Sequence, residues 1–417
     1  MFRLASRQLK RPTPAIRRAV APSAPSAVLA SAHCSRHAST IASLGSNSKV
    51  GTIFAALILL GATSTAYGIY EFYTMFTVWP KEVRSDLRAG IKAKNQEDLG
   101  LSERYLRRAL ETAHTLPLEA FGTDPYLKLS GIAIALAGVL EAADKPKEAY
   151  EAYTVALQEL QGAQGLSGKE RLRAVAVAHK LGEMAEAYQR PEDEEERWLV
   201  YAVEEVLRVL RDEGVDTQLA APTHDADQEL KTIVAELELP KWVAKTDVVA
   251  PLTALGAFYN RTRKQEYAIP LYLSALNVIL PPGNKNPSAE NRCRGADLMN
   301  SLADSLMLGA PTPERRRQAE LWVDRALGVI EKTRNEDKSD PEALSHCALV
   351  LAAALFNKGS MREMTGDLPS AKTSYTDSRK QSFLLKDRDG LLQAETAIRR
   401  VDRLTREKEA KTSITDK

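Results

Sequence analysis

Apolar and polar positions alternate differently in three stretches of the chain. Residues 1–49 scatter apolar residues among basic ones, whereas Val50 to Tyr70 is a run without any charged residue, strongest from Thr52 to Gly61. From residue 81 onward apolar residues recur three and four apart, the period of amphipathic helices. As a helix rising 1.5 Å per residue, the uncharged run is about 31 Å long, close to the hydrocarbon thickness of a bilayer. It predicts a single transmembrane helix over 50–70. Phe72, Tyr73, Phe76 and Trp79 follow as an aromatic belt at the water interface, and Pro80 breaks the helix.

Beyond residue 81 the pattern repeats. The tetratricopeptide unit is a helix-turn-helix of about 34 residues. It wants small residues at positions 8 and 20, where its helices approach, and larger apolar ones where neighbouring hairpins meet. The stretch from about 249 to 282 puts Leu255, Gly256 and Tyr259 at positions 7, 8 and 11 and Ala268, Tyr272 and Ala275 at 20, 24 and 27. From about 130 to 163 the same places fall to Leu136, Ala137, Leu140, Ala149, Tyr153 and Ala156. Another unit follows the aromatic belt, with Gly90, Ala93, Ser102, Leu106 and Ala109.

Three further units are degenerate. Leu181, Gly182 and Ala185 lead to Glu195, Leu199 and Ala202 after one inserted residue. Leu302, Ala303 and Leu306 lead to Ala319, Val323 and Ala326 across a lengthened loop around Pro311 and Pro313. Leu355 and Gly359 precede a turn at Gly366-Asp367, then Ala371, Tyr375 and Ser378. The expected fold is all-α, a tetratricopeptide solenoid of about six helix pairs over 81–417, behind one transmembrane helix. An insertion at 212–246 separates the third and fourth units, and Leu391, Leu392, Ala394, Ile398, Val401 and Leu404 keep helical spacing for a capping helix.

Charge sharpens the reading of the N-terminus. Residues 1–49 hold eight Lys and Arg, no Asp or Glu, and many Ser and Ala, the composition of a mitochondrial transit peptide. Arg36-His-Ala-Ser-Thr resembles a matrix-peptidase site. Without those eight cations the rest of the chain is net acidic, which gives no reason to expect nucleic acid as partner. The basic leader marks the matrix side, so the expected localisation is the mitochondrial inner membrane with the solenoid in the intermembrane space. Of the three cysteines, Cys34 lies in the leader, and Cys293 and Cys347 belong to no close-spaced pair; two separate buried thiols are expected.

No catalytic pattern emerges, and the reading is of a non-enzyme without cofactor or metal. Gly165-Leu-Ser-Gly-Lys-Glu170 lacks the leading glycine of a phosphate loop and has Glu where a magnesium-binding hydroxyl belongs. His179, Glu183 and Glu186 share a helix face at a spacing a metal could use, but such a face is ordinarily plain surface. The acid run Pro191–Arg197 suits the first turn of a helix. In the concave groove, position 9 reads Ile91, Gly138, Glu183, Ala257 and Ser360, without the Asn of a clamp for chaperone C-termini. Repeat geometry points Glu183, Glu186, Asn260 and Arg261 into the groove as candidate protein-binding residues.

The order of parts, with Gly90…Ala109, Leu136-Ala…Ala156 and Leu255-Gly…Ala275 behind the span 50–70, resembles the fungal tetratricopeptide subunit of the mitochondrial inner-membrane i-AAA protease supercomplex. The resemblance implies an adaptor that presents unfolded or misfolded proteins to the AAA protease beside its other adaptor subunits. The chain is also similar to the animal mitochondrial tetratricopeptide protein of complex III maintenance, which implies instead an assembly or maintenance factor of a respiratory complex. The sequence leaves both open.

Overall fold

The computed structural model describes residues 78–215, 239–281, 286–308, 312–336 and 341–415, together with Thr63. The proposed leader 1–49 and span 50–70 lie outside the described residues, Thr63 apart. Thirteen α-helices follow Pro80 among the described residues: α1 (Lys81–Asn95), α2 (Leu99–Thr115), α3 (Pro125–Ala142), α4 (Pro146–Gly162), α5 (Gly168–Ala187), α6 (Glu192–Asp212), α7 (Lys245–Arg261), α8 (Gln265–Ile279), α9 (Ala289–Met307), α10 (Pro313–Glu336), α11 (Pro341–Met364), α12 (Leu368–Leu384) and α13 (Arg388–Thr415). They pack as consecutive antiparallel pairs, α1 with α2 through α11 with α12, and α13 lies against α12.

Template positions explain the pairing. Leu106, Ala109, Leu136, Ala137, Ala149, Ala156, Leu181, Ala185, Leu255, Ala268, Ala275, Leu302, Ala303, Ala319, Val323, Ala326, Ala371 and Tyr375 are all buried. The small residue at position 8 makes room for the side chain at position 24. A Cβ on Gly90 would come within 2.8 Å of Leu106, one on Gly182 within 2.5 Å of Leu199, and one on Gly359 within 2.8 Å of Tyr375. Inside the turns one residue takes a left-handed conformation, as Glu97, Gln189 and Arg263 do. The next helix starts promptly, and Asp98 and Asp367 cap α2 and α12 through their side chains.

α3 is, by length and composition, apolar enough to cross a membrane. Eight of its residues are nevertheless buried in the stack, where it packs on α2 and α4. Its apolarity serves the core between hairpins.

At the cap, Ala394, Ala397 and Val401 are buried with Ala353, Phe356 and Tyr375, and Ile398 and Leu404 pack at the edge. Leu392, expected on this face, is instead exposed, with Phe383 and Leu384 exposed nearby on α12. The insertion 212–246 is described at 212–215 and from 239, where Trp242 packs over Gly168 at the start of α5; a Cβ on Gly168 would meet the indole at 2.5 Å.

One expectation is overturned. Cys293 and Cys347 are joined as a disulfide, with Cα atoms 4.9 Å apart, and are not separate thiols. Their sequence separation of 54 hid the pairing. α11 begins at Pro341, about three turns before the repeat template starts, and this extra length runs beside α9.

Candidate protein interaction surface

The first helices of successive hairpins, α5, α7, α9 and α11, adjoin one another, so their groove positions form one surface. Glu183 and Glu186 occupy the last turns of α5, and Asn260 and Arg261 end α7. Glu186 and Arg261 are brought into direct contact as an ion pair. Arg261 also donates two hydrogen bonds to Glu195 at the start of α6, at 2.7 and 2.6 Å. Its guanidinium carbon stands 5.6 Å from the centre of the Phe258 ring. Lys264 reaches Glu196 at 3.2 Å in the turn that follows.

Glu195 occupies position 20, where the template wants a small residue, and its side chain is only 5% exposed. Burial pushes its carboxyl up; Arg261 opposes this without cancelling it. A carboxylate held this deep requires its partner, because burying an unpaired charge costs several kcal/mol, roughly 3–5 when one partner is removed. The third and fourth hairpins, separated in sequence by the insertion, are thus clasped by an ionic joint. Glu195 lay inside the acid run assigned to a helix first turn. It does sit in that turn, yet Glu194 accepts from Tyr150 and Arg190, and Glu195 reaches across to the next hairpin.

Glu183 and Asn260 have contacts of their own. Glu183 lies 3.9 Å from His179, one turn earlier. Burial holds His179 below its ordinary pKa, with Glu183 pulling the other way and Lys180 adding to the depression. Lys180 meets Glu141 of α3 at 2.9 Å, which also accepts from the Tyr153 hydroxyl. Asn260 donates from Nδ2 to Asp304 on α9 at 3.0 Å, while its Oδ1 is buried without a hydrogen-bond donor. Among the described residues no group of three or more His, Cys, Asp and Glu side chains is arranged to hold a metal ion.

Residues missed in the sequence hold the corresponding positions of the fifth hairpin, partly exposed at Asp297 and Asp304 and buried at Asn300. Asp297, Asn300 and Asp304 take positions 2, 5 and 9 of the fifth unit, so the template that singled out Glu183 could have named them. Asn357 of α11 donates to Asn300 Oδ1 at 3.1 Å in a buried amide pair. Asp297 Oδ1 is closed off from solvent, and burial raises this carboxyl against the pull of His346 and Arg294. The groove positions from α5 to α9 therefore carry the carboxylates of Glu183, Glu186, Asp297 and Asp304 and the carboxamide of Asn260, with Arg261 among them.

The loop once compared with a phosphate site has another role. Ser167 accepts from the Glu170 backbone and Glu170 from that of Ser167, a capping box that starts α5. Glu170 accepts from the Tyr126 backbone as well. Beside it lies an open cleft of about 540 Å³, lined by Leu166, Arg171, Tyr201, Glu205 and Arg208 among others, in which Arg171 and Arg208 face Glu205.

No protein family matches the chain, and neither does any curated protein. Among solved structures it is similar to BtubC (BKLC) from P. vanneervenii, at 16% identity and a TM-score of 0.45, over 69% of this chain and 92% of that one. The apo form of RapI is similar at 13% identity and a TM-score of 0.42, over 78% and 72%. The TPR2AB domain of yeast Sti1, solved as a pHSP90 complex, is similar at 10% identity and a TM-score of 0.24, over 77% and 98%. These likenesses are distant and concern the helical-repeat fold alone.

Proposed function

We propose that this chain is a membrane-anchored adaptor of the mitochondrial inner membrane, which binds unfolded or misfolded polypeptides in the intermembrane space and presents them to the i-AAA protease. The observation that carries the reading is the continuous inner surface from α5 to α11, built on stacked hairpins joined by the Arg261 clasp. A stack of this kind offers a long, rigid face to a partner, and each hairpin is supported by its neighbours. The uncharged run 50–70 supports the anchor. Tethering raises the effective concentration of a weak binder beside its enzyme, so modest affinity suffices.

Glu183, Glu186, Asn260 and Arg261 are the proposed contact residues. Deleting the gene and following turnover of a misfolded inner-membrane reporter tests the function. Slower turnover, restored by the anchored protein and not by residues 81–417 alone, is expected. Unchanged turnover with loss of complex III activity would replace this reading with the assembly-factor alternative.

A further inference from the structure

Cys293 sits on α9 and Cys347 on α11, the first helices of the fifth and sixth hairpins, and both are completely buried. Around the bond, Ala296, Ala326, Ile330 and Val350 form a closed apolar cluster that contains both sulfurs. Further along the same two helices Asn357 donates to Asn300 inside the stack, and Ala303 and Met307 share a core with Ala354 and Met361. The disulfide therefore joins surfaces that already fit each other. Beyond it lies the end of the array, α12 and the cap α13.

We propose that this pair is an oxidative modification site: a dithiol of the folding chain that a protein-disulfide oxidant converts into a staple between the last two hairpins. One cysteine thiolate attacks a sulfur of the oxidant's disulfide, forming a mixed disulfide and releasing one oxidant thiolate. The second cysteine thiolate then attacks the sulfur of the first, closing the internal bond and releasing the other oxidant thiolate. The chain loses two electrons and the oxidant gains them. The two protons lost by the cysteines end on the oxidant's thiols.

Burial sets the order of events. Once the cluster has closed, neither sulfur is open to an attacking thiol, so oxidation occurs while α9 and α11 are still settling. The finished bond is then shielded from reductant, and it becomes reducible when the last hairpins unpack. Closing a loop of this length restricts the unfolded chain. Such bonds persist where thiols are oxidised and are rare where glutathione keeps them reduced. The staple rests on the proposed topology solely for where the oxidant is met.

The test takes the full-length protein in isolated mitochondria. Thiols are blocked with an alkylating reagent in acid-quenched, denatured samples, with and without prior reduction, and the label is mapped to peptides. Cys293 and Cys347 should take label only after reduction. In the native protein, a reductant at millimolar strength should leave them unlabelled until mild denaturant is added. Cys293→Ser with Cys347→Ser should lower the melting midpoint by several degrees and speed proteolytic cleavage between α10 and α13, with a smaller effect on α1–α6. Full labelling of both cysteines without reduction overturns the proposal. Protease protection on the same samples separates the causes: reduced thiols on a body facing the intermembrane space refute the staple alone, and reduced thiols on a matrix-facing body refute the topology with it.

Discussion

Tyr272 fills the space that Gly256 leaves empty. A Cβ on Gly256 would stand 2.9 Å from the tyrosine ring, which is itself 3% exposed and has little room to retreat. Gly256→Val is therefore expected to destabilise the fourth hairpin by about 1–3 kcal/mol through overpacking. Gly138 has the same residue type in a helix but nothing within 4 Å of the missing Cβ. Gly138→Ala is expected to stabilise by about 0.5–1 kcal/mol, because the change removes backbone entropy from the unfolded chain. Denaturant unfolding of both variants reads the two signs. A stable Gly256→Val protein would show that the Tyr272 packing is wrong.

Ala268 gives a second probe of the same hairpin. It is completely buried at position 20, where α8 crosses α7. Ala268→Phe forces a ring into a closed helix crossing and should cost roughly 1–3 kcal/mol. A melting temperature equal to wild type would mean that the register of the repeat is misplaced.

The clasp between the third and fourth hairpins predicts a non-additive pair. Arg261→Met leaves Glu195 buried without its cation and should cost about 3–5 kcal/mol. Replacing both, as Arg261→Met with Glu195→Leu, removes the stranded charge and should recover most of that loss. Thermal unfolding of the two single variants and the double variant closes the cycle. Additive losses would show that Arg261 and Glu195 act independently.

The proposed topology makes a prediction about proteolysis. With a basic leader on one side of the span and an acidic body on the other, the body should face the intermembrane space. Added protease should spare residues 81–417 in intact mitochondria and digest them once the outer membrane is ruptured. Digestion in intact organelles would move the protein to the outer membrane.

What could be read in the chain and what could not follows from the range of each interaction. The hairpins were legible because Gly256, Ala268, Tyr272 and Ala275 meet within one repeat, and helical spacing encodes those contacts directly. The glutamate at position 20 was visible as an exception. Its reason was not, because Arg261 lies 66 residues further along the chain, beyond the insertion. The disulfide was hidden for a similar cause: the early turns of α11 precede the template, so nothing in the sequence put Cys347 beside Cys293. Asp297, Asn300 and Asp304 were within reach of the groove positions used for Glu183, and extending the template to the fifth unit would have found them. Repeat spacing placed Glu186 and Arg261 on the groove side of their helices, but it gave no hint that they bind each other.

The cap should loosen in acid before the rest of the array. Glu363 of α11 accepts hydrogen bonds from Arg400 of α13 at 2.6 and 2.7 Å and from the Tyr375 hydroxyl at 2.7 Å. Burial pushes the Glu363 carboxyl up, but the bonds from Arg400 and Tyr375 outweigh it and hold the group below the usual carboxylate range. A carboxyl with a lower pKa folded than unfolded contributes its full stability above the unfolded value and loses it as pH falls through the folded one. The contact should hold at neutral pH and fade below about pH 4. Because Glu363 and Arg400 connect α11 to the terminal helix, the loss is local. Hydrogen-exchange protection factors over residues 388–405 should drop in this window while those of α5 persist. Glu363→Gln keeps an acceptor for Arg400 without the titrating proton, so its cap should be weaker at neutral pH and nearly flat across the acid range. If wild type and Glu363→Gln lose protection in parallel, some other group governs the acid response of the cap.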